Sequence, residues 1–512
     1  MLQTTILLVV TMLAVITPTL ESSVNTVCPP NCMCNDDTLT VICKENMLNE
    51  VPSILNPSIE RLILKPNRIK TVDVASFQFY GYLKHIDLSH NELVRITPQT
   101  FVTQTRLVEL HLNHNKLSNI TDKTFYGLKS LTVLNLRSNF LEDLPDKVFS
   151  PLTHLKELDL GQNRIQRIDP SAFEGMSMLQ VLMLDDNQLT KVPAVSFQFL
   201  ASLAELRIGL NSFKTLTNDS FAGLNSLTTL DLTGAELNNI TEFAFRGLNP
   251  NLRTLILADN RLVTIPTKQM SRLKRLEELS IGQNPFTALP EHAFQGLTNL
   301  CSLVISGAPE LVSIERGAFA DNLNLESISL VSNKRLSRVA DRVLTGLPNL
   351  KDLVLRDNGF STFKESLAAW PELRKLDLSD NPLECECSLV WLRDLLFQRN
   401  TTHVLCASPA ALRDRPLRTL TNEELGCSTY VGSHQTIIGA ICGVVVALIA
   451  LLLFLVYRYR HKVHDVFKNY EWRKQTKANT KQAEYQKTFN DDEFIIRTAQ
   501  HQTLKPIPVT EL

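Results

Sequence analysis

Between Ile59 and Leu383 the apolar residues follow one arrangement that recurs fourteen times. The unit that begins at Leu155 runs Leu155-x-x-Leu158-x-Leu160-x-x-Asn163-x-Ile165-x-x-Ile168, with Phe173 and Met176 after it. Units begin at Ile59, Leu83, Leu107, Leu131, Leu155, Leu179, Leu203, Leu227, Leu252, Leu276, Leu300, Leu325, Leu350 and Leu373. Successive starts lie 24 residues apart seven times in a row, then 23 to 25 apart. A unit this short cannot enclose its own apolar side chains, so neighbours stack and bury them in one continuous core. The alternation in Leu-x-x-Leu-x-Leu predicts a short strand with leucines inward and the x positions at its end outward.

Two further columns sharpen the picture. Twelve of the fourteen units carry Asn where the chain must leave the strand, from Asn67 to Asn381. An amide there can satisfy backbone groups of its own turn and the next. Ala235 and Ala308 replace it in Thr-Gly-Ala and Ser-Gly-Ala, so local irregularity is expected at those turns. The second column runs Phe77, Phe101, Phe125, Phe149, Phe173, Phe197, Phe221 and Phe245, then Met270, Phe294, Phe319 and Leu344. It predicts a buried spine on the convex side. The pattern resembles that of leucine-rich repeat proteins. The resemblance implies an α/β solenoid, an extracellular horseshoe with a parallel concave sheet and a disulfide cap at each end.

The flanks divide into recognisable segments. Residues 1–23 hold an apolar run from Ile6 to Ile16 and are expected to be a secretory signal peptide; the run is too short for a signal anchor. Residues 28–58 form the expected amino-terminal cap, 59–382 the repeats and 383–427 the carboxyl-terminal cap. Eight of the ten cysteines cluster in these caps: Cys28, Cys32, Cys34 and Cys43, then Cys385, Cys387, Cys406 and Cys427. Such clusters behind a signal peptide point to disulfides in an oxidising compartment rather than to zinc. Four cysteines allow three pairings, and the sequence alone does not choose. Cys301 is expected to be a small, partly buried side chain. Residues 428–436 read as a stalk and 437–457 as a transmembrane helix. Its uncharged run at about 1.5 Å per residue spans the roughly 30 Å hydrocarbon core. Arg458, Arg460 and Lys462 follow at once, which places the 458–512 tail in the cytoplasm and makes the chain a type I plasma-membrane protein.

Charge and motifs narrow the function classes. The chain holds 52 Lys and Arg against 53 Asp and Glu, giving no case for nucleic acid. Gly-x-Ser-x-Gly, a phosphate-cradling Gly loop and His-Glu-x-x-His do not occur, so neither an enzyme nor a cofactor is expected. The outward positions of the middle units show Glu157, Asp159, Asp185, Asp186, Glu205 and Asp231, with Arg207 among them. This acidic strip is suited to steering a basic protein partner. His85, His90, His111 and His114 project from two adjacent units, and His90 and His114, which occupy the same column, are expected to be strand neighbours. They read as titrating surface groups, sensitive below about pH 6.5, in preference to a zinc site. Glycan acceptors stand at Asn119, Asn218, Asn239 and Asn400. The tail is polar and expected to be disordered, and its end, Pro-Val-Thr510-Glu-Leu512, fits the ligand of a cytoplasmic PDZ protein.

Several stretches carry a narrower resemblance. Leu160-Gly-Gln-Asn-Arg-Ile165, Ile305-Ser-Gly-Ala308, Ala411-Leu-Arg-Asp-Arg-Pro-Leu417, Glu484-Tyr-Gln-Lys-Thr-Phe489 and Pro508-Val-Thr-Glu-Leu512 resemble the Capricious and Tartan family of insect cell-recognition proteins. The resemblance implies cap pairings Cys28–Cys34, Cys32–Cys43, Cys385–Cys406 and Cys387–Cys427. It also implies recognition between cells, in axon and synaptic target choice and epithelial affinity, with a teneurin-type ectodomain as partner. An auxiliary subunit that modulates a channel or receptor in the same membrane is the alternative.

Overall fold

The computed structural model describes residues 28–44, 47–400, 403–427 and 432–459, together with Tyr470 and Arg473. The signal peptide, most of the tail, and Thr510 and Leu512 lie outside these residues. The described residues fall into two units, divided between Cys427 and Ser428.

The first unit is built on a sheet of sixteen strands that follow one another in chain order. Its first two, Cys32–Asn35 and Thr40–Cys43, form an antiparallel hairpin in the amino-terminal cap. Fourteen parallel strands follow, from Arg61–Ile63 to Lys375–Asp377, one for each repeat. The register keeps like with like: Leu158 lies beside Leu134 on one side and Leu182 on the other. All three leucines are fully buried, because period-2 alternation turns every second side chain into the core. The first unit is therefore a solenoid built on a parallel sheet.

The Asn column closes each turn. Asn139 Nδ2 donates to the carbonyls of Leu112 and Leu136 at 3.0 Å each, and its Oδ1 accepts the Leu117 N–H at 3.0 Å. One amide thus joins two units through backbone groups that no strand partner reaches. The residue before the Asn takes a left-handed backbone in eleven of the twelve units that carry it, among them His90 (φ 53°), Leu210 (φ 50°) and Asp186 (φ 57°). Gly234 and Gly307 occupy this position in the two units without Asn, with φ 65° and 66°. Both turns are indeed irregular. The Phe213 N–H, deprived of an amide oxygen, bonds the Ala235 carbonyl at 3.2 Å. Beside Ala308, strands lengthen to Ser302–Ser306 and Ser327–Val331, and Asn333 Oδ1 accepts the Ala308 N–H instead.

The phenylalanine spine is buried along its length. Phe125, Phe149 and Phe173 stack with ring centroids 5.9 and 6.1 Å apart. Disulfides join Cys28 to Cys34 and Cys32 to Cys43 at one end, and Cys385 to Cys406 and Cys387 to Cys427 at the other. At the carboxyl end the helix Val390–Gln398 buries Leu392, Leu395 and Leu396. Arg399 Nη2 donates to the Trp370 carbonyl at 2.9 Å, and the Trp370 and Trp391 rings pack at 5.3 Å. The cap covers apolar surface that a fifteenth repeat would otherwise hide. Cys301 is half-buried, and its thiol donates to the Asn299 carbonyl; burial first, and then nearby glutamates, push its pKa up.

The second unit contains the helix Gly432–Arg458, whose segment Ile437–Arg458 has mean hydropathy 3.1 and is long and apolar enough to cross a membrane.

Asn139→Ala should leave several buried backbone groups without partners, at a cost of roughly 1–3 kcal/mol. Hydrogen exchange is expected to speed up at Leu117 and in the two units that flank it. Exchange that rises evenly across all fourteen units would contradict this local role.

Candidate functional site

The alternation that buries the leucines leaves one row of side chains on the open face of the sheet. Two positions per strand face outward, and the strand register sets which of them meet. Crowding between adjacent strands leaves most of them half-buried rather than free.

In the second and third units the register brings His85 beside Glu109, and Asp87 beside His111. His85 Nδ1 lies 2.8 Å from Glu109 Oε2, and His111 Nε2 lies 3.6 Å from the same oxygen. The two imidazole rings are 5.2 Å apart. Burial pushes the His85 pKa down, against the opposing hydrogen bond from Glu109. Burial alone would raise Glu109, but the His85 and His111 contacts outweigh it and hold the carboxyl below its usual range. The partners therefore shift in ways that no simple ion pair produces. A neutral His85 ring donating Nδ1–H to a charged carboxylate satisfies both. Glu109 went unnoticed in the sequence; its signal is His85 in one unit and Glu-x-His in the next, 24 residues on.

His90 and His114 are not strand neighbours. They sit in the left-handed turns that follow, exposed, with rings stacked face to face at 4.2 Å and 14°. Burial, then His90 and Arg137, lower the His114 pKa.

The acidic strip differs from its sequence reading in three respects. First, Asp159 is buried, 6 % exposed, and its Oδ1 accepts the Gly161 N–H at 2.9 Å. Asp231 does the same for Thr233, so both close their own turns. Second, Asp186 lies in a left-handed turn rather than on a strand. Third, Arg137 enters the strip from the unit before. Its Nη2 donates to Asp185 at 2.8 Å and its Nη1 reaches Asp159 at 3.4 Å. Gly161 makes room for it, since a Cβ there would collide with the guanidinium. Asp185, and less strongly Asp159, hold the Arg137 pKa up, while burial leaves that of Asp159 raised. Geometry agrees with this asymmetry, because the shorter contact is to Asp185. Arg207 likewise pairs with Glu205 at 2.6 Å. Glu157, Asp186 and Asp231 have no ion-pair partner among the described residues, and of these Asp231 is held by Thr233 in its own turn.

The acceptors Asn119, Asn218, Asn239 and Asn400 are all exposed, and none belongs to the sixteen-stranded sheet.

Comparison with known proteins follows the same outline. Overlapping windows from residue 57 to 383 match the "Leucine rich repeat" model, and residues 403–428 match "Leucine rich repeat C-terminal domain". Toll-like receptor 2 of Cricetulus griseus is 30% identical over 240 residues, 41% of this chain and 29% of that one. Nephrocan of Mus musculus is 34% identical over 182 residues, 31% of this chain and 35% of that one. The chain thus spans about a third of the length of these relatives. Among solved structures, the Toll–Spatzle complex from Drosophila aligns with TM-score 0.56 at 20% identity, covering 75% of this chain and 63% of that one. The TLR13–ssRNA13 complex aligns with TM-score 0.53 at 24% identity, covering 69% and 59%. At these identities the two structures bear on the fold alone.

Asp159 yields a signed pH dependence. Its folded pKa lies above its unfolded value, so its ionisation costs stability at neutral pH, and that cost vanishes as pH falls through the folded pKa. Asp159→Asn should therefore be more favourable relative to the parent at pH ~7 than at pH ~4. Calorimetric melts of both proteins at the two pH values check the sign.

Proposed function

We propose, from the premise that this chain belongs to the leucine-rich repeat family, that it is a single-pass cell-surface recognition protein. It binds a protein partner on the open face of its sheet. The observation that carries this reading is the uninterrupted face itself. Fourteen strands present outward side chains between two disulfide-bonded caps, with no glycan acceptor on the sheet. Sugars on Asn119, Asn218, Asn239 and Asn400 would leave that face clear.

The apolar helix supports anchorage in the membrane. Disulfide-bonded caps ahead of it support an extracellular first unit, since such bonds persist in oxidising compartments. The orientation is then type I, and Thr510 and Leu512 lie in the cytoplasm, where a PDZ protein would take them. Glu157 and Asp186 are the acids best placed to meet a basic partner; Asp159, Asp185, Glu205 and Asp231 act first on their own scaffold. The two similar structures are ligand complexes, of Toll with Spatzle in one case and of TLR13 with ssRNA13 in the other. The near-neutral charge favours a protein ligand here. The resemblance to Capricious and Tartan supports a role in neuronal target selection and epithelial cell affinity, with a teneurin-type partner.

A sugar placed on the face separates this reading from one based in the membrane segment. Val181→Asn with Met183→Thr creates an acceptor on the strand Val181–Met183. A binder is first found by screening cells that display the full chain against soluble surface ectodomains. The double variant should then lose that binding at least ten-fold while its surface level stays unchanged. Full binding with the new site glycosylated would place the interface elsewhere.

A further inference from the structure

We propose that His85, Glu109 and His111 form a site for a transition-metal ion, Zn²⁺ foremost, with its fourth coordination position open on the concave face. The three donors come from two adjacent strands. Glu109 and His111 are two residues apart and so share a face, and the register sets His85 directly across from Glu109. One donor atom from each lies within 4.8 Å of the others.

A tetrahedral zinc with bonds of about 2.0–2.1 Å needs its ligand atoms roughly 3.3 Å apart. The observed separations from Glu109 Oε2, 2.8 Å to His85 and 3.6 Å to His111, bracket that figure. The third separation, His85 to His111, is bounded at 4.8 Å, so closing the set turns the two imidazoles toward one another about Glu109. Two imidazoles and one carboxylate are also the donor types zinc takes when it keeps a position open. Burial of His85 favours its neutral ring, and on binding the ring carries its proton on Nε2 in place of Nδ1, which frees the Nδ1 lone pair for the ion.

Simple hydrogen bonding accounts for only half of the arrangement. It explains the His85–Glu109 contact, but His111 aims Nε2 at the same oxygen from beyond bonding distance. The surrounding charges do not forbid a cation. Arg61 lies beside His85 on the strand before and opposes one. Asp87 lies beside His111 and answers it, although Lys65 already pairs with Asp87. On the far side, Val133 and Asn135 flank Glu109 and His111 and carry no charge. The stacked rings of His90 and His114 present their faces to each other, so their lone pairs do not converge.

The ion site rests on these three side chains alone. Only the use of its open position by a partner rests on the recognition reading above, so the test needs no partner. The full chain in detergent micelles, stripped with chelator, is titrated with Co²⁺. One equivalent should give the visible bands of a four-coordinate site, which Zn²⁺ abolishes and added imidazole shifts. His85→Asn, Glu109→Gln and His111→Asn should each weaken Co²⁺ binding at least as much as the roughly 10- to 100-fold typical of outer-shell changes. The three variants should melt close to the parent. His90→Asn with His114→Asn should leave binding unchanged. Tail histidines such as His461 and His464 are constant throughout, so the differences isolate the site. Equal binding by parent and His111→Asn overturns the proposal, and so does loss of binding in the His90 and His114 variant. Bands that ignore imidazole overturn the open position.

Discussion

Every turn of this solenoid must leave a strand, and the backbone groups exposed in doing so have no strand partner. One buried amide per unit answers that constraint. Asn139 illustrates it by gripping the carbonyls of Leu112 and Leu136 while accepting from Leu117. Because the acceptor groups belong to two units, each amide couples neighbours as well as closing its own turn. The leucines and phenylalanines supply the apolar burial, but that burial is non-directional. The amides set the spacing and the register within which the burial occurs. Where Asn is absent, at Ala235 and Ala308, hydrogen bonds are rerouted, beside Ala308 strands lengthen, and no break appears in the sheet.

The same register governs the chemistry of the face. Parallel strands in step place the outward residues in rows, so a carboxylate in one unit meets whatever its neighbour presents 24 residues away. Glu109 meets two histidines. Arg137 reaches across Gly161 to Asp185, two units on. Several acids that look available along the chain are therefore engaged locally. Asp87, Asp159 and Asp231 each accept the N–H two residues further on. What remains for a partner is a mixed surface with few unpaired charges.

The ends show what the repeats cannot do for themselves. A stack of identical units exposes core at both faces, and a cysteine-rich cap closes each. Arg399 and the Trp370–Trp391 contact tie the final cap to the last repeats. The helix long and apolar enough to cross a membrane belongs to a separate unit from the repeats.

Periodicity alone determined most of the architecture: fourteen strands, the Asn and Phe columns, and the irregular turns at Ala235 and Ala308. It could do so because local repeats dictate local neighbours, and each unit contacts chiefly the next. The face was less legible. Asp159 reads as outward from its position in the strand, yet it is buried against its own turn. His90 and His114 read as strand neighbours, yet they occupy left-handed turns. Arg137 had no distinguishing mark, and Glu109 showed only as Glu-x-His one unit after His85. These outcomes depend on side chains meeting across units, on distances of a few ångströms that spacing does not specify. Only the tertiary structure decides them, because a charge's partner lies on a neighbouring strand and not beside it in the chain.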